Sequence, residues 1–390
     1  MIPEIVLKKN RDEALRRFHP WVFSGAVYNS NPSLKNGDDV YVNAADGSFL
    51  AYGHFYHNSI AVKIYSFQKV NPDYNFWKDK IENAIQTRRL LGFFDNPNTN
   101  AFRLINGEGD FMPGLIVDKY ADTLVIQCHT EGMYRLINTF AEIFTELLPN
   151  LKSIYNKSAS ALKNTDLKTE DGFLMGSETD NVIIENGMLF SVDIVGGQKT
   201  GFFLDQRDNR FLLGQYAKDK TVLNAYCYSG GFSVSALRSN AKKVDSVDVS
   251  AKAIDLTNDN VLLNKLTEIP NQSFVEDVHA FLKSCDFYDL IILDPPAFAK
   301  HHSQKMQAVK GYRNINRYAI RKLRRGGVLF TFSCSQAMDV DLFLSTVVSA
   351  AIEEGRQCRV VERLSQPADH PLNAFQQEGV YLKGLVLIFD

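Results

Sequence analysis

Two reactive side chains follow apolar runs in the C-terminal half of the chain. One run ends in Leu293-Asp294-Pro295-Pro296, and a later one ends in Phe332-Ser333-Cys334-Ser335. Short apolar runs that alternate with helical segments are typical of buried parallel strands, whose carboxyl ends face one crevice of an open α/β sheet. A thiol and a carboxylate in one crevice predict covalent catalysis, with Cys334 as nucleophile and Asp294 as its hydrogen-bonding partner.

Such a pair suits methylation of a nucleic-acid base. Carbon 5 of cytosine or uracil is a poor nucleophile, but a thiolate added at carbon 6 builds negative charge at carbon 5, which can then attack a methyl sulfonium. A base removes the carbon-5 proton and the thiol leaves. Asp294 would hydrogen-bond the ring amino group or the protonated ring nitrogen. The alternative for Cys334 is a small apolar residue that only packs.

The carboxyl ends of the preceding predicted strands carry groups suited to a nucleoside cofactor. The glycine turn after the first strand lets the backbone approach a ligand, and it lacks the Gly-x-Gly-x-x-Gly spacing of dinucleotide sites. An acid after the second strand can accept ribose hydroxyls, and one after the third can bind an adenine amino group. Singly, each acid could be a helix cap. Together they predict S-adenosylmethionine, held by Asn224, Tyr226, Ser229, Gly230, Gly231, Asp248, Ser250, Asp277 and Asp294.

The charge distribution points to a polyanion. The net charge is only −2, yet residues 297–325 hold nine Lys or Arg, two His and no acid. Arg313, Arg317, Arg321 and Arg325 recur every four residues, which would align them on one helix face. With Lys300 they predict a phosphate-binding face beside the site, and the alternative is a solvated helix face.

Length and patterning predict three domains in the 390 residues. Short strands with turn signals predict a β-barrel over 1–70, mixed patterns an α+β domain over 71–180, and βαβ spacing a doubly wound, mostly parallel sheet over 181–390. The last range opens with a hairpin around Asn186-Gly187.

Composition restricts the remaining possibilities. The five cysteines are scattered without a Cys-x-x-Cys pair, which predicts a reducing cytoplasm and no metal site. The first residues do not fit a secretory signal, and no run of eighteen apolar residues predicts a membrane span. The sequence leaves the oligomeric state open, including a homodimer.

These motifs carry a family resemblance along nearly the whole chain. The chain resembles the ribosomal RNA large subunit methyltransferase I family, which uses S-adenosylmethionine to make 5-methylcytosine in 23S ribosomal RNA. The resemblance rests on Arg16 to Gly25, Gly107 to Leu115, Gly196 to Arg207, Asn224 to Phe232, Val247 to Ser250, Asp294 to Phe298, Gly311-Tyr312, Phe332 to Ser335, Ala368 to Pro371 and Tyr381 to Gly384.

The resemblance implies an N-terminal PUA domain that binds RNA, a central α+β domain and a Rossmann-like methyltransferase domain. By position it implies that Asp248 binds the ribose, Asp277 the adenine and residues 229–231 the methionine end. It also implies that Cys334 is the nucleophile. Within the matching stretches, Phe203 is expected at the cofactor, and Lys199, Arg16 and His19 at the RNA.

Three departures and two alternative functions stay open. Pro295-Pro296-Ala297 lacks the second cysteine of related RNA cytosine methyltransferases, so another group must help to release the product. Ala297 stands where relatives often have Lys, and Asn156 to Ala159 replaces a more acidic stretch that contains arginine. The alternatives are methylation of uracil or a base nitrogen without Cys334, and an RNA-binding assembly factor with a vestigial methyltransferase domain.

Overall fold

A computed structural model describes residues 2–299 and 304–390. These residues form two compact units. The N-terminal unit comprises Met1–Ile183, Val192–Leu204 and Ala368–Gly379; the C-terminal unit comprises Ile184–Ser191, Asp205–Pro367 and Val380–Asp390. Three segments of the predicted methyltransferase range, residues 181–183, 192–204 and 368–379, therefore belong to the N-terminal unit. The boundaries at residues 70 and 180 stay predictions.

The first sheet of the N-terminal unit contains the predicted short strands. Their order is β2-β6-β5-β4-β1-β3, with β1 and β4 parallel and the other neighbours antiparallel. Alternate apolar side chains such as Ile5, Val40 and Val62 are buried against one another. The strands are β1 (Glu4–Leu7), β2 (Trp21–Phe23), β3 (Val27–Asn29), β4 (Asp39–Asn43), β5 (Phe49–Phe55) and β6 (Ile60–Ser66), and a short helix α1 (Glu13–Arg16) follows β1.

A second sheet of this unit packs against helices. Its order is β11-β10-β9-β8-β7, and Trp77, Phe102 and Phe140 lie in its core. Residues 131–147 form two consecutive helices, with a break at Leu136. The elements are α2 (Tyr74–Leu90), β7 (Ala101–Asn106), β8 (Leu115–Tyr120), β9 (Thr123–Cys128), α3 (Glu131–Arg135), α4 (Ile137–Leu147), β10 (Ser153–Asn156) and β11 (Gly172–Met175).

A buried ion pair fastens α2 in the N-terminal unit. The fully buried Arg88 guanidinium makes a bidentate pair with Asp110, including Nη2 to Oδ2 at 2.8 Å. It also donates to the main-chain carbonyls of Arg103 and Asp369. Since Asp110 is itself almost fully buried, each charge depends on the other for compensation.

The C-terminal unit contains the predicted doubly wound sheet. The described residues contribute seven strands in the order β16-β15-β14-β17-β18-β20-β19. The antiparallel strand β20 is inserted between β18 and β19. The strands are β14 (Thr221–Ala225), β15 (Lys243–Asp248), β16 (Asn271–Val275), β17 (Tyr288–Leu293), β18 (Leu323–Ser333), β19 (Cys358–Leu364) and β20 (Lys383–Phe389).

Helices connect these strands, and a hairpin comes before them in the chain. The helices are α5 (Arg207–Ala217), α6 (Gly231–Arg238), α7 (Ala251–Leu263), α8 (Val278–Ser284), α9 (Lys305–Lys322) and α10 (Val340–Glu353). The hairpin pairs β12 (Val182–Glu185) with β13 (Met188–Ser191). Asn186 and Gly187 have φ of +50° and +74°, as the predicted type I′ turn requires. None of the helices in the described ranges is long and apolar enough to cross a membrane.

Replacing Arg88 with Met should destabilise the N-terminal unit by about 3–5 kcal/mol, because Asp110 would remain buried without its counter-charge. Both tryptophans of the chain, Trp21 and Trp77, lie in this unit. Urea unfolding followed by tryptophan fluorescence therefore reports on it directly. The neighbouring exposed Arg89 is the matched control, and its replacement by Met should shift the transition much less. Equal shifts for both variants would contradict the role of the pair.

Candidate active site

The strand register gathers the predicted site residues at one edge of the sheet. Val247, Ala225, Leu293 and Thr331 are neighbours across four parallel strands. The next residue on three of these strands is therefore Asp248, Tyr226 or Asp294, and Cys334 lies three residues beyond Thr331. This edge also receives Asp277, which follows β16. The arrangement agrees with the crevice expected from the sequence.

The turn after β14 has a strained backbone. Tyr226 and Tyr228 have φ of +61° and +47°, a left-handed conformation that non-glycine residues rarely adopt. Gly230 has φ of +73°, and a Cβ there would meet the Thr257 methyl at 2.6 Å. A Cβ on Gly231 would meet Arg210 Cδ at 2.8 Å. Glycine is thus required at both positions for this close packing.

Asp248 holds this turn in place. Its two carboxylate oxygens accept the backbone N–H groups of Tyr228, at 3.1 Å, and Ser250, at 2.9 Å. Asn260 anchors the turn from α7, because its buried amide donates to the Ser229 carbonyl at 2.8 Å. The same amide accepts the N–H of Ser191 at 2.7 Å, which links the hairpin strand β13 to the cofactor turn.

Asp277 caps a helix, which was the alternative interpretation of each acid, and Ser250 caps another. The Asp277 carboxylate accepts the Ala280 N–H at the start of α8, and the Ser250 hydroxyl accepts the Ala253 N–H at the start of α7. Capping uses one Asp277 oxygen, so cofactor contacts by these residues stay predictions. Burial raises the pKa of Tyr226, and the Asp277 and Asp248 carboxylates near it raise that pKa further. The Tyr226 hydroxyl therefore stays protonated and can donate.

The floor of the cofactor turn is polar. The Asn224 side chain is buried, and its amide donates to the Ser233 hydroxyl, which in turn contacts the Ser246 hydroxyl at 2.7 Å. Among residues 2–299 and 304–390, no hydrogen-bond donor reaches Asn224 Oδ1. A buried acceptor of this kind calls for a donor, and it fits the ammonium or hydroxyl groups of S-adenosylmethionine.

Asp294 is oriented by a side chain that the sequence analysis did not single out. Gln206 Nε2 donates to Asp294 Oδ2 at 3.0 Å, and Asn209 Nδ2 donates to Gln206 Oε1 at 2.6 Å. Both amides are buried. The hydrogen bond from Asn209 thus fixes the Gln206 amide so that its nitrogen, and not its oxygen, meets the carboxylate. Gln206 lies in the stretch from Gly196 to Arg207 that carries the family resemblance, but neither its residue type nor its spacing predicted a contact with Asp294.

The loops that carry Asp294 and Cys334 are fastened to each other. Ser335 Oγ, next to Cys334, donates to the carbonyl of Ala299 at 2.8 Å. The Phe298 ring lies 4.7 Å from the Tyr312 ring of α9, and a Cβ on Gly311 would approach Phe298 to 3.0 Å. The structure thereby explains the Gly311-Tyr312 motif as a packing surface for the Asp-Pro-Pro loop.

Two polar groups that the sequence analysis gave no role lie near Cys334. The fully buried Tyr312 hydroxyl lies near Ser333, Cys334 and Asp294; burial raises its pKa, and Cys334 and Asp294 raise it further. The buried Lys383 ammonium lies on β20, opposite Ser333. A lysine inside the apolar run 380–389 was a visible signal, since buried lysines are rare without a partner.

The thiol of Cys334 differs from the buried cysteine of the cofactor turn. Cys334 is partly exposed, whereas Cys227 is buried beside Thr257. Burial raises the pKa of the Cys227 thiol to about 12, so that group stays protonated. Cys227 is therefore a packing residue of the cofactor turn.

Several predicted site residues belong to the N-terminal unit. Lys199 Nζ lies 4.3 Å from the Phe203 ring centroid, so these two contact each other. Arg16 pairs with Asp12 at 2.6 Å, and His19 accepts the N–H of Trp21. The divergent stretch at 156–159 also has a structural role, because buried Lys157 donates to the carbonyls of Ile194 and Gly197. Lys300 lies outside the described residues.

The arginines of α9 meet acids from another part of the chain. Glu353 and Glu354 at the end of α10 form ion pairs with the arginines of α9: Arg313 at 3.4 Å, Arg317 at 3.0 and 3.1 Å, and Arg321 at 2.5 Å. The helix ends at Lys322, and Arg325 lies in β18. Arg321 therefore lies near the amino end of β18, whereas Cys334 follows the carboxyl end of that strand. RNA contact by these arginines stays a prediction.

Comparison with known proteins gives the family context for this geometry. Residues 171–385 match the model of S-adenosylmethionine-dependent methyltransferases, and residues 5–67 match a PUA-like domain. A ribosomal RNA large subunit methyltransferase I from Tolumonas auensis is 39% identical over 99% of both chains. The protein of that name from Alteromonas mediterranea is 38% identical, over 99% of this chain and 98% of its own length.

A solved structure shares the whole fold. A candidate methyltransferase complexed with SAH superimposes with a TM-score of 0.87 at 24% identity, and the match covers 100% of both chains. The predicted fold class, with an N-terminal PUA-like domain and a C-terminal Rossmann-like methyltransferase domain, is confirmed. The predicted cofactor, S-adenosylmethionine, is confirmed as well.

Replacing Asp248 with Asn should raise the dissociation constant of S-adenosylmethionine roughly ten- to hundredfold, because a carboxylate that organises the turn by charged hydrogen bonds is lost. Isothermal titration calorimetry measures this directly. The control is Asp259→Asn, an exposed acid on α7, which should bind as the wild type does. An unchanged affinity in Asp248→Asn would remove Asp248 from the cofactor site.

Proposed function

The chain belongs to the ribosomal RNA large subunit methyltransferase I family of S-adenosylmethionine-dependent methyltransferases, and on that premise we propose that it forms 5-methylcytosine in 23S ribosomal RNA through a covalent adduct at Cys334. The observation that carries the proposal is the fastening of the Asp294 and Cys334 loops at one edge of the sheet by the Ser335–Ala299 hydrogen bond. The PUA-like domain at residues 5–67 supports RNA as the substrate.

In the proposed reaction Cys334 acts first. Its thiolate sulfur bonds to carbon 6 of the cytosine, and the ring electrons move to carbon 5. When bound, S-adenosylmethionine would supply an electrophilic methyl group: carbon 5 would bond to the methyl carbon while the bond from that carbon to the sulfonium sulfur breaks, and S-adenosylhomocysteine would leave. A base then removes the carbon-5 proton, the electron pair returns to the ring, and the bond between Sγ and carbon 6 breaks. The thiolate is thereby regenerated.

Asp294 has the second role in the proposal. Its carboxyl group would hold the ring amino group or the protonated ring nitrogen while negative charge develops at carbon 5. The hydrogen bond from Gln206 to Asp294 Oδ2 supports this role, because it fixes the orientation of the carboxyl group. Group orientation of this kind contributes to catalysis by avoiding reorganisation during the reaction.

Replacing Cys334 with Ala should lower methyl transfer by at least about a thousandfold, as expected for loss of a covalent nucleophile. The assay is transfer of labelled methyl from S-adenosylmethionine to unmodified large-subunit ribosomal RNA, followed by nucleoside analysis for 5-methylcytidine. The control is Cys358→Ala, another partly exposed cysteine, which should retain activity.

Other outcomes would contradict parts of the proposal. Formation of 5-methylcytidine by Cys334→Ala would exclude the covalent mechanism. A different labelled nucleoside, such as a methyluridine or a nitrogen-methylated base, would change the reaction. No label on free RNA or on assembled particles, despite cofactor binding, would favour an RNA-binding assembly factor.

The double replacement of Arg317 and Arg321 with Gln should change RNA binding little. Both arginines already pair with acids of α10, and they lie near the amino end of β18. Each lost phosphate contact would reduce the slope of log affinity against log salt by roughly 0.7–0.9. For the double variant we expect a slope change smaller than the loss of two phosphate contacts would cause. Filter binding between low and moderate salt measures this slope. A reduction of this slope by about 1.5 or more would instead establish the predicted phosphate-binding face.

A further inference from the structure

We propose that Lys383 is a positioning residue whose ammonium stabilises Cys334 as a thiolate. The proposal rests on the nucleophilic role of Cys334 proposed above. Lys383 Nζ donates to the main-chain carbonyls of Ser335 and Tyr381, at 2.7 Å each. Ser335 directly follows Cys334, so the ammonium is held against the backbone of the loop that carries the thiol. An ammonium has three donors, and these bonds use two of them.

The placement of Lys383 follows from the antiparallel strand β20. Lys383 pairs with Ser333 at the end of β18, and the neighbouring strand β19 presents apolar Leu364 opposite Gly384. Tyr381 is fixed in turn, because its hydroxyl donates to Asp205 at 2.9 Å. The lysine is only 3% exposed, so water screens its charge weakly. In the described part of the chain its recorded hydrogen bonds go to neutral carbonyls, so no bonded acid cancels the charge.

The charged groups around Lys383 come from several elements. Cys334 acts on it from the loop after β18 and Asp339 from the start of α10. Tyr312 of α9 lies near Cys334 and Asp294. Burial lowers the pKa of Lys383 to about 8, against the opposing effect of Cys334 and Asp339. The ammonium is therefore present below pH 8 and is lost above it, so its effect on the thiol operates at neutral pH.

The test measures the pH midpoint of thiolate formation at Cys334. Alkylation by iodoacetamide is followed by mass spectrometry of the peptide that contains Cys334, without RNA. In the wild type we expect a midpoint below the usual value of about 8.5. The Lys383→Gln variant keeps a donor for the carbonyls but loses the charge. Its midpoint should rise by roughly one pH unit, with a roughly tenfold slower alkylation at pH 7. Lys383→Arg should restore the wild-type midpoint.

A second lysine provides the matched control. Lys322 is half-buried, and its ammonium also donates to a main-chain carbonyl, that of Cys285. It lies at the other end of β18, so Lys322→Gln should leave the Cys334 midpoint unchanged. A merely structural role of Lys383 would lower stability without moving this midpoint.

Two results would overturn the inference. One is an unchanged midpoint in a Lys383→Gln protein that is folded and binds S-adenosylmethionine normally. The other is a wild-type midpoint at or above about 8.5, which decides the question even if the variants do not fold. Failure of the proposed function is a separate result, because it would appear as methyl transfer that persists in Cys334→Ala whatever the alkylation midpoint.

Discussion

The site depends on the parallel, in-register pairing of β14, β15, β17 and β18. Because parallel strands end at the same edge of a sheet, the residues just beyond them must face one crevice. The register of Val247, Ala225, Leu293 and Thr331 sets the depth at which Asp248, Tyr226, Asp294 and Cys334 emerge. A shift of one residue in any strand would turn its side chains to the other face. The chemistry therefore depends on backbone hydrogen bonds in the core.

Buried amides and hydroxyls then fix the loops at that edge. Asn260 joins the cofactor turn to the hairpin, Gln206 orients Asp294, and Ser335 joins the two catalytic loops. Each of these groups is buried, so an unmade hydrogen bond would cost more than a solvated one. The loops are thereby held in one arrangement before a ligand binds, as catalysis by positioning requires.

Charged side chains of the C-terminal unit lie at both ends of β18, in different environments. At the amino end of β18, arginines and glutamates of α9 and α10 neutralise one another across the surface. At the carboxyl end, the lysine of β20 has carbonyl partners, and Cys334 and Asp339 are the groups that act on its charge. The proposed chemistry needs a polarised, weakly screened environment at the carboxyl end only.

Local sequence patterns predicted most elements, because hydrophobic periodicity and turn residues act over short distances. They predicted the strands that end in Asp248, Asp294 and Cys334, and the Asn186-Gly187 hairpin. Local patterns failed where contacts between distant residues determine the limits of an element. The break at Leu136 divides a helical pattern, and Arg325 lies in β18 although its spacing from Arg321 suits a helix.

The sequence by itself determined the order of the strands along the chain, the cofactor motifs and the candidate nucleophile, since each is encoded within a few consecutive residues. Only the tertiary structure decided that β20 inserts beside β18 and brings Lys383 to the Cys334 loop, that Gln206 meets Asp294, and that acids of α10 meet the arginines of α9. These pairs are separated by tens of residues, so no local pattern specifies them. Their contacts arise from the packing of whole elements around the sheet.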